Sequence, residues 1–372
     1  MNLDFSDEQK FLKEEAKKFL TNEEALKKAR SVMENDGAHL DNDLWGKIVE
    51  LGWTGIRIPE TYDGLGLSHL ELCVIAEELG KSLAPTPFSS SVYLFTEFLI
   101  NFANDEIKEK LLPALVSGEA IGTFAITEDF MAPTEENINT SVSDDGKISG
   151  KKIAIPDAKI ATHLIVVAKH GSGVQLRLVD LSDESVSIDH QKTIDETRAH
   201  YSITFNNTPS LLVGSQSDGW SHYNQVINQS AVLFAFEQVG GAEATLEMAT
   251  NYAKERYAFG RPIGSYQAIK HKLSDMYVAL TLARSNCYYA AWALNSESAD
   301  FELAAATARV SSTKAFNLCS QENIQTHGGN GFTWEYDCHL YYKRAKLLSV
   351  NIGSLKNWKN KLVNNLEKSN TY

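Results

Sequence analysis

Apolar residues in the first third of the chain recur with the spacing of amphipathic helices. Two segments show this spacing: Leu12, Ala16, Phe19 and Leu20, and then Leu70, Val74, Ala76 and Leu79. Ser6 and Gln9 have the spacing of a capping box ahead of the first segment. The connector "LGWTGIRIPETYDGLGLS" between the segments is rich in turn-forming residues. The first third is therefore predicted to be helical.

From about residue 120 the spacing changes to that of strands. The stretch "HLIVVAKHGSGVQLRLVDL" contains two runs of Val, Ile and Leu joined across residues 171–173. "HYSITF" alternates apolar and polar residues, as a half-buried strand does. These runs predict a hairpin-rich sheet that ends near Val213–Gly214.

From about residue 220 the helical spacing returns in long segments. The segment 267–294 runs for about seven turns, and one stripe of it contains Ile269, Leu273, Met276, Leu280, Ala283 and Cys287. "ELAAATARVSSTKAFNLC" predicts a second long helix. Helices, a sheet region and again helices predict an α+β fold with segregated elements, not the alternating pattern of a dinucleotide-binding sheet. We expect three domains, at residues 1–119, 120–214 and 215–372.

Composition and charge narrow the classes of function. The 372 residues carry a formal net charge of −13, which argues against nucleic-acid or anionic-membrane binding and leaves room for a small anionic ligand. No apolar run reaches 18 residues and the N-terminus has no signal-peptide pattern, so a cytoplasmic protein is expected. The four cysteines form no CxxC pair and are expected to be buried reduced thiols rather than zinc ligands or disulfides.

The segment "YAKERYAFGRPIGSYQAIKHK", residues 252–272, carries candidate binding groups. It reads as a helix that ends at Gly260, a turn, and a new helix that opens with Ser265-Tyr266-Gln267. Arg256 is a planar donor suited to a pyrophosphate, Phe259 offers a flat apolar face, and Gln267 can donate and accept toward a heterocycle. A solvated basic corner between two helices explains the same spacing, and both interpretations stay open.

A glycine-rich segment follows about sixty residues later. In "QTHGGNGFTWEYDCHLYYKRAK", Gln325 precedes Gly328 and Gly329, which permit backbone conformations or close approaches denied to other residues. Glycine-rich loops are common, and this one alone decides nothing. The two segments together, in this order, resemble the C-terminal signatures of the acyl-CoA dehydrogenase family. "LGWTGIRIPETYDGLGLS", "AEELGKSLAPTP" and "FAITE" are similar to its earlier patterns, so the resemblance covers essentially the whole chain.

The resemblance implies a fold and a cofactor. It implies a helical N-terminal domain, a β-barrel-like middle domain and a C-terminal four-helix bundle. It also implies bound FAD, dehydrogenation of an acyl-CoA between its α and β carbons, and electron transfer to an electron-transfer flavoprotein. By the same resemblance, the cofactor contacts are one middle-domain residue and six residues that reach the FAD of a neighbouring subunit: Thr127, and then Arg256, Phe259, Gln267, Gln325, Gly328 and Gly329.

The chain departs from the family pattern where its own flavin is expected. After Thr127-Glu128 the family has a small, glycine-rich run, and here residues 129–133 read DFMAP. A Trp-Ile-Thr-type strand is replaced by Ala154-Ile155-Pro156. The aromatic wall and the hydroxyl donor that the resemblance implies are both missing.

The expected catalytic glutamate is missing too. Counted from the glycine-rich segment, the usual base position is Ile352, followed by Gly353; the alternative family position is Ser230. Neither side chain can ionise to remove a proton. Glu237, about two turns beyond Ser230, is a candidate replacement base, although a structural hydrogen bond explains it as well.

These departures lead to three hypotheses. The first is a subunit of a hetero-oligomeric acyl-CoA dehydrogenase that completes the FAD site of a second family subunit; the segment 325–345 resembles the two-gene, heterotetrameric enzymes of bacterial steroid side-chain breakdown. The second is a self-sufficient acyl-CoA dehydrogenase that uses Glu237. The third is a non-catalytic scaffold of the same fold.

Overall fold

The computed structural model describes residues 5–35, 39–171 and 173–369. Six helices come first: α1 (Asp7–Asn22), α2 (Ala25–Glu34), α3 (Asn42–Glu50), α4 (His69–Ser82), α5 (Thr96–Phe102) and α6 (Asp105–Val116). Eight strands follow: β1 (Gly122–Ala125), β2 (Ser141–Val142), β3 (Lys147–Pro156), β4 (His163–His170), β5 (Gly173–Asp180), β6 (Val186–Gln191), β7 (His200–Pro209) and β8 (Leu211–Val213).

Five helices and a short hairpin follow the sheet in the described residues. They are α7 (Gly219–Glu255), the hairpin strands β9 (Tyr257–Ala258) and β10 (Arg261–Pro262), α8 (Gln267–Asn295), α9 (Phe301–His327), α10 (Cys338–Leu348) and α11 (Leu355–Ser369). The predicted order of helices, sheet and helices is confirmed. No helix among the described residues is both long and apolar enough to cross a bilayer.

The capping box predicted at the start of α1 is present. The Ser6 hydroxyl accepts the Gln9 backbone N–H at 3.2 Å, and the Gln9 side-chain oxygen accepts the Ser6 N–H at 2.9 Å. These two bonds satisfy donors that have no partner inside the helix, and so they fix where α1 begins. Its apolar stripe buries Ala16 and Leu20.

The sheet is mainly antiparallel, with the strand order β6-β7-β3-β2-β4-β5-β8 and β1 parallel to β4. The predicted hairpin is β4–β5, which pairs from His163 opposite Asp180 to His170 opposite Gly173. Side chains from several strands of the sheet form one hydrophobic core. It includes Ile148, Leu164, Val166, Ile203 and Phe205. The runs of Val, Ile and Leu therefore predicted β4 and β5, and most residues of both strands are buried.

The chain divides into two compact units, neither of them continuous in sequence. The first contains the residues up to Arg30, His69–Ala84 and the residues from Ala231 onward; the second contains Ser31–Ser68 and Pro85–Ser230. The sheet lies in the second unit. Helix α7 begins in the second unit and continues into the first, which contains α8, α9, α10 and α11. The three-domain division at residues 119 and 214 stays a prediction about sequence segments.

Glycines bring two helices of the first unit into close contact. A Cβ at Gly80 of α4 would lie 2.0 Å from the Glu237 carbonyl oxygen of α7, and one at Gly240 would lie 1.8 Å from the Glu77 carbonyl oxygen. Only glycine permits this distance between backbones. The four cysteines are buried with free thiols, as their spacing predicted.

Candidate functional site

The segment 256–262 forms a β-hairpin rather than the predicted helix end at Gly260. Helix α7 ends at Glu255, and β9 and β10 pair across a turn in which Phe259 and Gly260 both have positive φ, 52° and 80°. A bulky residue rarely adopts this backbone conformation. The Phe259 side chain is nevertheless 96% exposed, so no packing within the described chain accounts for it.

Tyr266 fixes the hairpin to the start of α8. Its hydroxyl donates to the Ala258 carbonyl oxygen at 3.0 Å, and the Arg261 guanidinium lies 4.0 Å from the centre of its ring. Gln267 is the first residue of α8, two residues after the predicted start at Ser265, and its side chain is exposed. The hairpin is therefore held in place while its tip projects into solvent.

The glycine-rich segment forms a tight turn at the end of α9. The helix ends at His327, Gly328 has a φ of 59°, and residues 328–332 form a 3-10 turn. A Cβ at Gly328 or Gly329 would meet no described atom within 4 Å, whereas a Cβ at Gly331 would lie 2.5 Å from the Ile324 carbonyl oxygen. Gly331 is thus required by packing, and Gly328 and Gly329 leave open space beside the backbone.

Two residues that the sequence interpretation overlooked bring these segments together. The Tyr252 ring, one turn before Arg256, stacks on the His327 ring with centroids 4.0 Å apart. The Asn330 side-chain amide donates to the Tyr252 hydroxyl at 3.0 Å. The end of α7 and the glycine turn therefore form one surface.

The six predicted neighbour-facing residues are all exposed on this unit: Arg256, Phe259, Gln267, Gln325, Gly328 and Gly329. Among the described parts of the chain, the Arg256 guanidinium makes no hydrogen bond or ion pair. An unpaired arginine beside an exposed ring and an open glycine turn can take a phosphate group and a flat heterocycle. These residues fit the ADP portion of FAD, and their assignment as cofactor contacts stays a prediction.

Thr127 lies just after β1 in the other unit, where its carbonyl oxygen accepts the Ile153 N–H at 2.8 Å. Next to it, the Glu128 carboxylate accepts the backbone N–H groups of Asn139 and Thr140 and pairs with the buried Lys152 ammonium at 2.7 Å. Burial lowers the pKa of Lys152 to about 8, and Glu128 opposes this shift. These bonds close residues 129–138 into a loop where the family pattern has a glycine-rich run.

Ala154, which replaces the expected aromatic wall, stands at an irregular point of β3. Its φ is 55°, its side chain is exposed, and its N–H donates to the Gln191 side chain at 2.8 Å. The strand register against β7 shifts between Lys152 and Ile155. The strand thus presents only a methyl group at this position.

Ser230, one of the two expected base positions, is occupied with structural hydrogen bonds. Its buried hydroxyl lies 2.6 Å from the Tyr93 carbonyl oxygen and 2.8 Å from that of Val226. Tyr93 belongs to a fully buried π-helix, Ser89–Phe95, which is a rare type of helix. The hydroxyl donor of Ser230 therefore serves the backbone of this unit.

Ile352, the other expected base position, lies buried in a firmly held turn after α10. The Trp358 indole N–H donates to the Ile352 carbonyl oxygen at 3.2 Å. The buried Arg309 guanidinium donates to the Asn351 side chain at 2.7 Å and also to the Leu348 carbonyl oxygen. The turn is thus rigid but carries no ionisable side chain at residue 352.

The candidate base Glu237 is almost fully buried beside a cation. Its carboxylate lies 3.6 Å from the Arg344 guanidinium, and both side chains are no more than 5% exposed. The neighbouring Gln238 accepts from Arg309 at 2.8 Å. This environment suits a structural ion pair, because a buried cation needs a carboxylate close by.

Comparison with known proteins identifies the class of protein. The model of the acyl-CoA dehydrogenase N-terminal domain matches residues 6–119, and that of the C-terminal domain matches residues 217–356. Acyl-CoA dehydrogenase IpdE2 of Mycobacterium tuberculosis is 31% identical over 317 residues, which cover 85% of this chain and 84% of IpdE2. The chain belongs to the acyl-CoA dehydrogenase family, whose members are FAD-dependent oxidoreductases.

Solved structures agree over almost the whole length. A variant of the Tcur3481-Tcur3483 steroid ACAD superposes with a TM-score of 0.88 at 26% identity, covering 98% of this chain and 99% of that one. The ChsE4-ChsE5 complex from Mycobacterium tuberculosis gives a TM-score of 0.89 at 23% identity, covering 98% and 99%, and supports the fold alone. The fold expected from the sequence is confirmed.

Proposed function

We propose that this chain is one subunit of a hetero-oligomeric acyl-CoA dehydrogenase. It contributes six residues to the FAD held by a second family subunit: Arg256, Phe259, Gln267, Gln325, Gly328 and Gly329. The second subunit supplies the glutamate that removes the α-proton of the acyl-CoA. FAD held there would supply the hydride acceptor, and an electron-transfer flavoprotein would take up the electrons.

The observation that carries this proposal is the backbone and exposure of Phe259. A phenylalanine at φ 52° costs roughly 1–2 kcal/mol relative to an ordinary backbone conformation. Its side chain gains nothing in return from the described chain, because 96% of it is exposed. A ring fixed at the tip of a hairpin and directed into solvent is suited to a group that another subunit holds.

The other five residues complete this half-site. Arg256 offers two parallel N–H donors to a pyrophosphate, and Gln267 adds donors and acceptors at the N-terminal end of α8. At Gly328 and Gly329 the absence of a side chain leaves room for a ligand to approach the backbone. The Tyr252–His327 stack keeps both groups on one surface.

The chain's own half of the site supports dependence on a partner. The Ser230 hydroxyl is engaged by the Tyr93 carbonyl oxygen, and Ile352 has no ionisable group. Ala154 replaces the flat wall expected at the flavin, and residues 129–138 form a closed loop in place of a permissive glycine run. A proton of high pKa needs a base that ionises within reach, which neither position offers.

One similar protein supports a two-subunit arrangement and suggests a substrate class. Tcur3481-Tcur3483, 26% identical to this chain, is named as a pair and as a steroid ACAD. By this similarity we extend the proposal to the CoA thioester of a steroid side chain, with desaturation between its α and β carbons.

Co-expression tests the proposal. The chain should purify colourless and inactive alone, and should form a yellow, active complex with a family member that keeps the glutamate. Arg256→Ala should lower the flavin content of that complex by at least about tenfold, because a charged hydrogen bond to phosphate is lost. The matched control is Lys314→Ala, which removes an exposed cation on a different element, helix α9. A yellow, active assembly of this chain alone would contradict the proposal.

Glu237 gives the self-sufficient enzyme a specific test. If it is the base, Glu237→Gln abolishes turnover; if it is the partner of Arg344, the variant loses stability and the assembled complex keeps its turnover number. The scaffold hypothesis makes the opposite prediction for Arg256→Ala, namely unchanged flavin content in any complex that the chain forms.

A further inference from the structure

The loop that replaces the glycine-rich run has an apolar apex. We call residues 129–137, between β1 and β2, the Phe130 loop. The Phe130 side chain is fully exposed and that of Met131 is 61% exposed. Adjacent large apolar side chains in solvent can form the centre of a contact with a partner.

The Phe130 loop is ordered by its own hydrogen bonds. The Asp129 carboxylate accepts the Met131 N–H at 2.7 Å. The Thr134 N–H donates to the Asn137 side chain at 2.7 Å, and that side chain donates to the Ala132 carbonyl oxygen at 2.9 Å. A loop that already has its bound shape loses little conformational freedom on docking.

The base of the loop is fixed more strongly. The Glu128 carboxylate accepts the N–H groups of Asn139 and Thr140 at 2.7 and 2.8 Å, and the buried Lys152 neutralises its charge. The apex is therefore presented from a rigid support in the sheet-containing unit.

The charge of the loop indicates the surface that it fits. It contains Asp129, Glu135 and Glu136 and no basic residue, and the Glu128 charge is already matched. Its complement is an apolar surface with a cationic rim. The structure contains a surface of this kind on the 256–262 hairpin, where the exposed Phe259 is flanked by the exposed Arg256 and Arg261.

We propose that the Phe130 loop docks on the hairpin of the second acyl-CoA dehydrogenase subunit that corresponds to this chain's own 256–262 hairpin. This inference rests on the proposed function, in which this chain's hairpin reaches the flavin of the second subunit. In the reciprocal contact, Phe130 and Met131 fill the place that a flavin would take, and the three acids face the arginines of the other hairpin. The assembly then has two types of site. At one, this chain's hairpin reaches the flavin of the second subunit; at the other, the Phe130 loop of this chain takes the place of a flavin.

A photo-cross-linking amino acid at position 130, in the co-expressed complex, tests where the apex lies. Peptide mapping should find the cross-link on the arginine- and phenylalanine-containing hairpin of the second subunit. Cross-links to another copy of this chain, to this chain itself, or to a different face of the second subunit would each overturn the proposal.

Side-chain removal tests the energetics. Phe130→Ser should raise the dissociation constant of the complex by about tenfold or more, because a central aromatic anchor is lost. It should leave the thermal midpoint of the isolated chain unchanged, since Phe130 touches little of it. Flavin per assembled complex should also stay unchanged. Ile194→Ser, another exposed apolar side chain of the same unit, is the control and should not affect assembly.

Salt dependence tests the acidic flank. Glu135→Lys with Glu136→Lys should weaken assembly at low ionic strength and reduce its sensitivity to salt. Equal affinity of this double variant and the unmodified chain would overturn the proposal. If the unmodified chains fail to form a yellow complex, the proposed function fails as well; if they form one that Phe130→Ser does not weaken, only the docking of the loop is wrong.

Discussion

The ring of Tyr252 stacks on the ring of His327, with centroids 4.0 Å apart and planes 27° from parallel. Tyr252 lies in the last turns of α7, and His327 is the last residue of α9. The contact joins two segments that are about 75 residues apart in the sequence. The Asn330 amide adds a 3.0 Å hydrogen bond to the Tyr252 hydroxyl, so the glycine turn is fixed relative to Arg256.

Removing this stack should affect both stability and flavin binding. Tyr252→Ala is expected to destabilise the chain by about 2–4 kcal/mol, because a half-buried aromatic pair is lost. It should also lower the flavin content of the co-expressed complex, since the glycine turn loses its support. Thermal unfolding and the flavin absorbance per protein measure the two effects.

Tyr252→Phe is the matched variant. It keeps the stack and removes only the hydrogen bond from Asn330, so a loss of about 1 kcal/mol and nearly full flavin content are expected. Equal flavin loss in the two variants would show that the ring stack does not position the turn.

Phe259 should separate stability from function. Phe259→Gly relieves the positive φ and removes almost no packing, so the free energy of unfolding should stay constant or rise by up to about 1 kcal/mol. The same variant should lose flavin from the complex, because the flat face is gone. Phe259→Tyr keeps the ring and should retain the flavin. Full flavin content in Phe259→Gly would contradict a role of this ring at the cofactor.

The hairpin itself shows what the sequence pattern could not predict. Strands of two residues are too short for apolar alternation to be visible. The turn needs positive φ at Phe259 and at Gly260. Of these two residues, only the glycine indicates such a conformation in the sequence. The sequence therefore predicted a helix ending at Gly260, whereas α7 ends five residues earlier, at Glu255.

Arg309 was missed for a different reason. A single arginine in a predicted helix is usually on the surface. Here it is 1% exposed and holds the turn before Ile352. The alanines that precede it in α9 are buried as well: Ala304, Ala305, Ala306 and Ala308. A helix that is apolar all round indicates burial, and this signal was available in "ELAAATARV".

By contrast, the capping box of Ser6 and the β4–β5 hairpin depend on local spacing alone and were predicted correctly.

Ser230→Ala should reveal a structural role at one expected base position. The variant removes the buried hydroxyl that donates to the Tyr93 and Val226 carbonyl oxygens, and the loss of a buried hydrogen bond is destabilising. We expect a loss of about 1–3 kcal/mol in the free energy of unfolding, measured by urea titration. Ser117→Ala, an exposed serine that donates to a carbonyl oxygen at 3.2 Å, should cost much less. The turnover number of assembled complex should not change; a large loss of turnover at equal protein assembly would restore Ser230 as a functional candidate.

Glu78 should make the stability of the chain depend on pH. Burial raises the pKa of its carboxyl to about 7, with Lys13 opposing the shift and Glu77 adding to it. Below pH 4.5 the carboxyl is protonated in the folded and unfolded chain alike, so it contributes no pH dependence. Between pH 4.5 and 7 the unfolded chain releases a proton that the folded chain keeps, and stability therefore falls as pH rises, by up to about 3 kcal/mol.

Glu78→Gln should remove this dependence, whatever its effect on stability at a single pH. The difference in unfolding free energy between the variant and the unmodified chain should shift in favour of the variant from pH 5 to pH 8. Glu50→Gln, the same substitution at an exposed carboxyl, is the control. Parallel stability curves for Glu78→Gln and the unmodified chain would mean that the Glu78 carboxylate is already ionised at pH 5, because Lys13, 3.9 Å away, outweighs its burial.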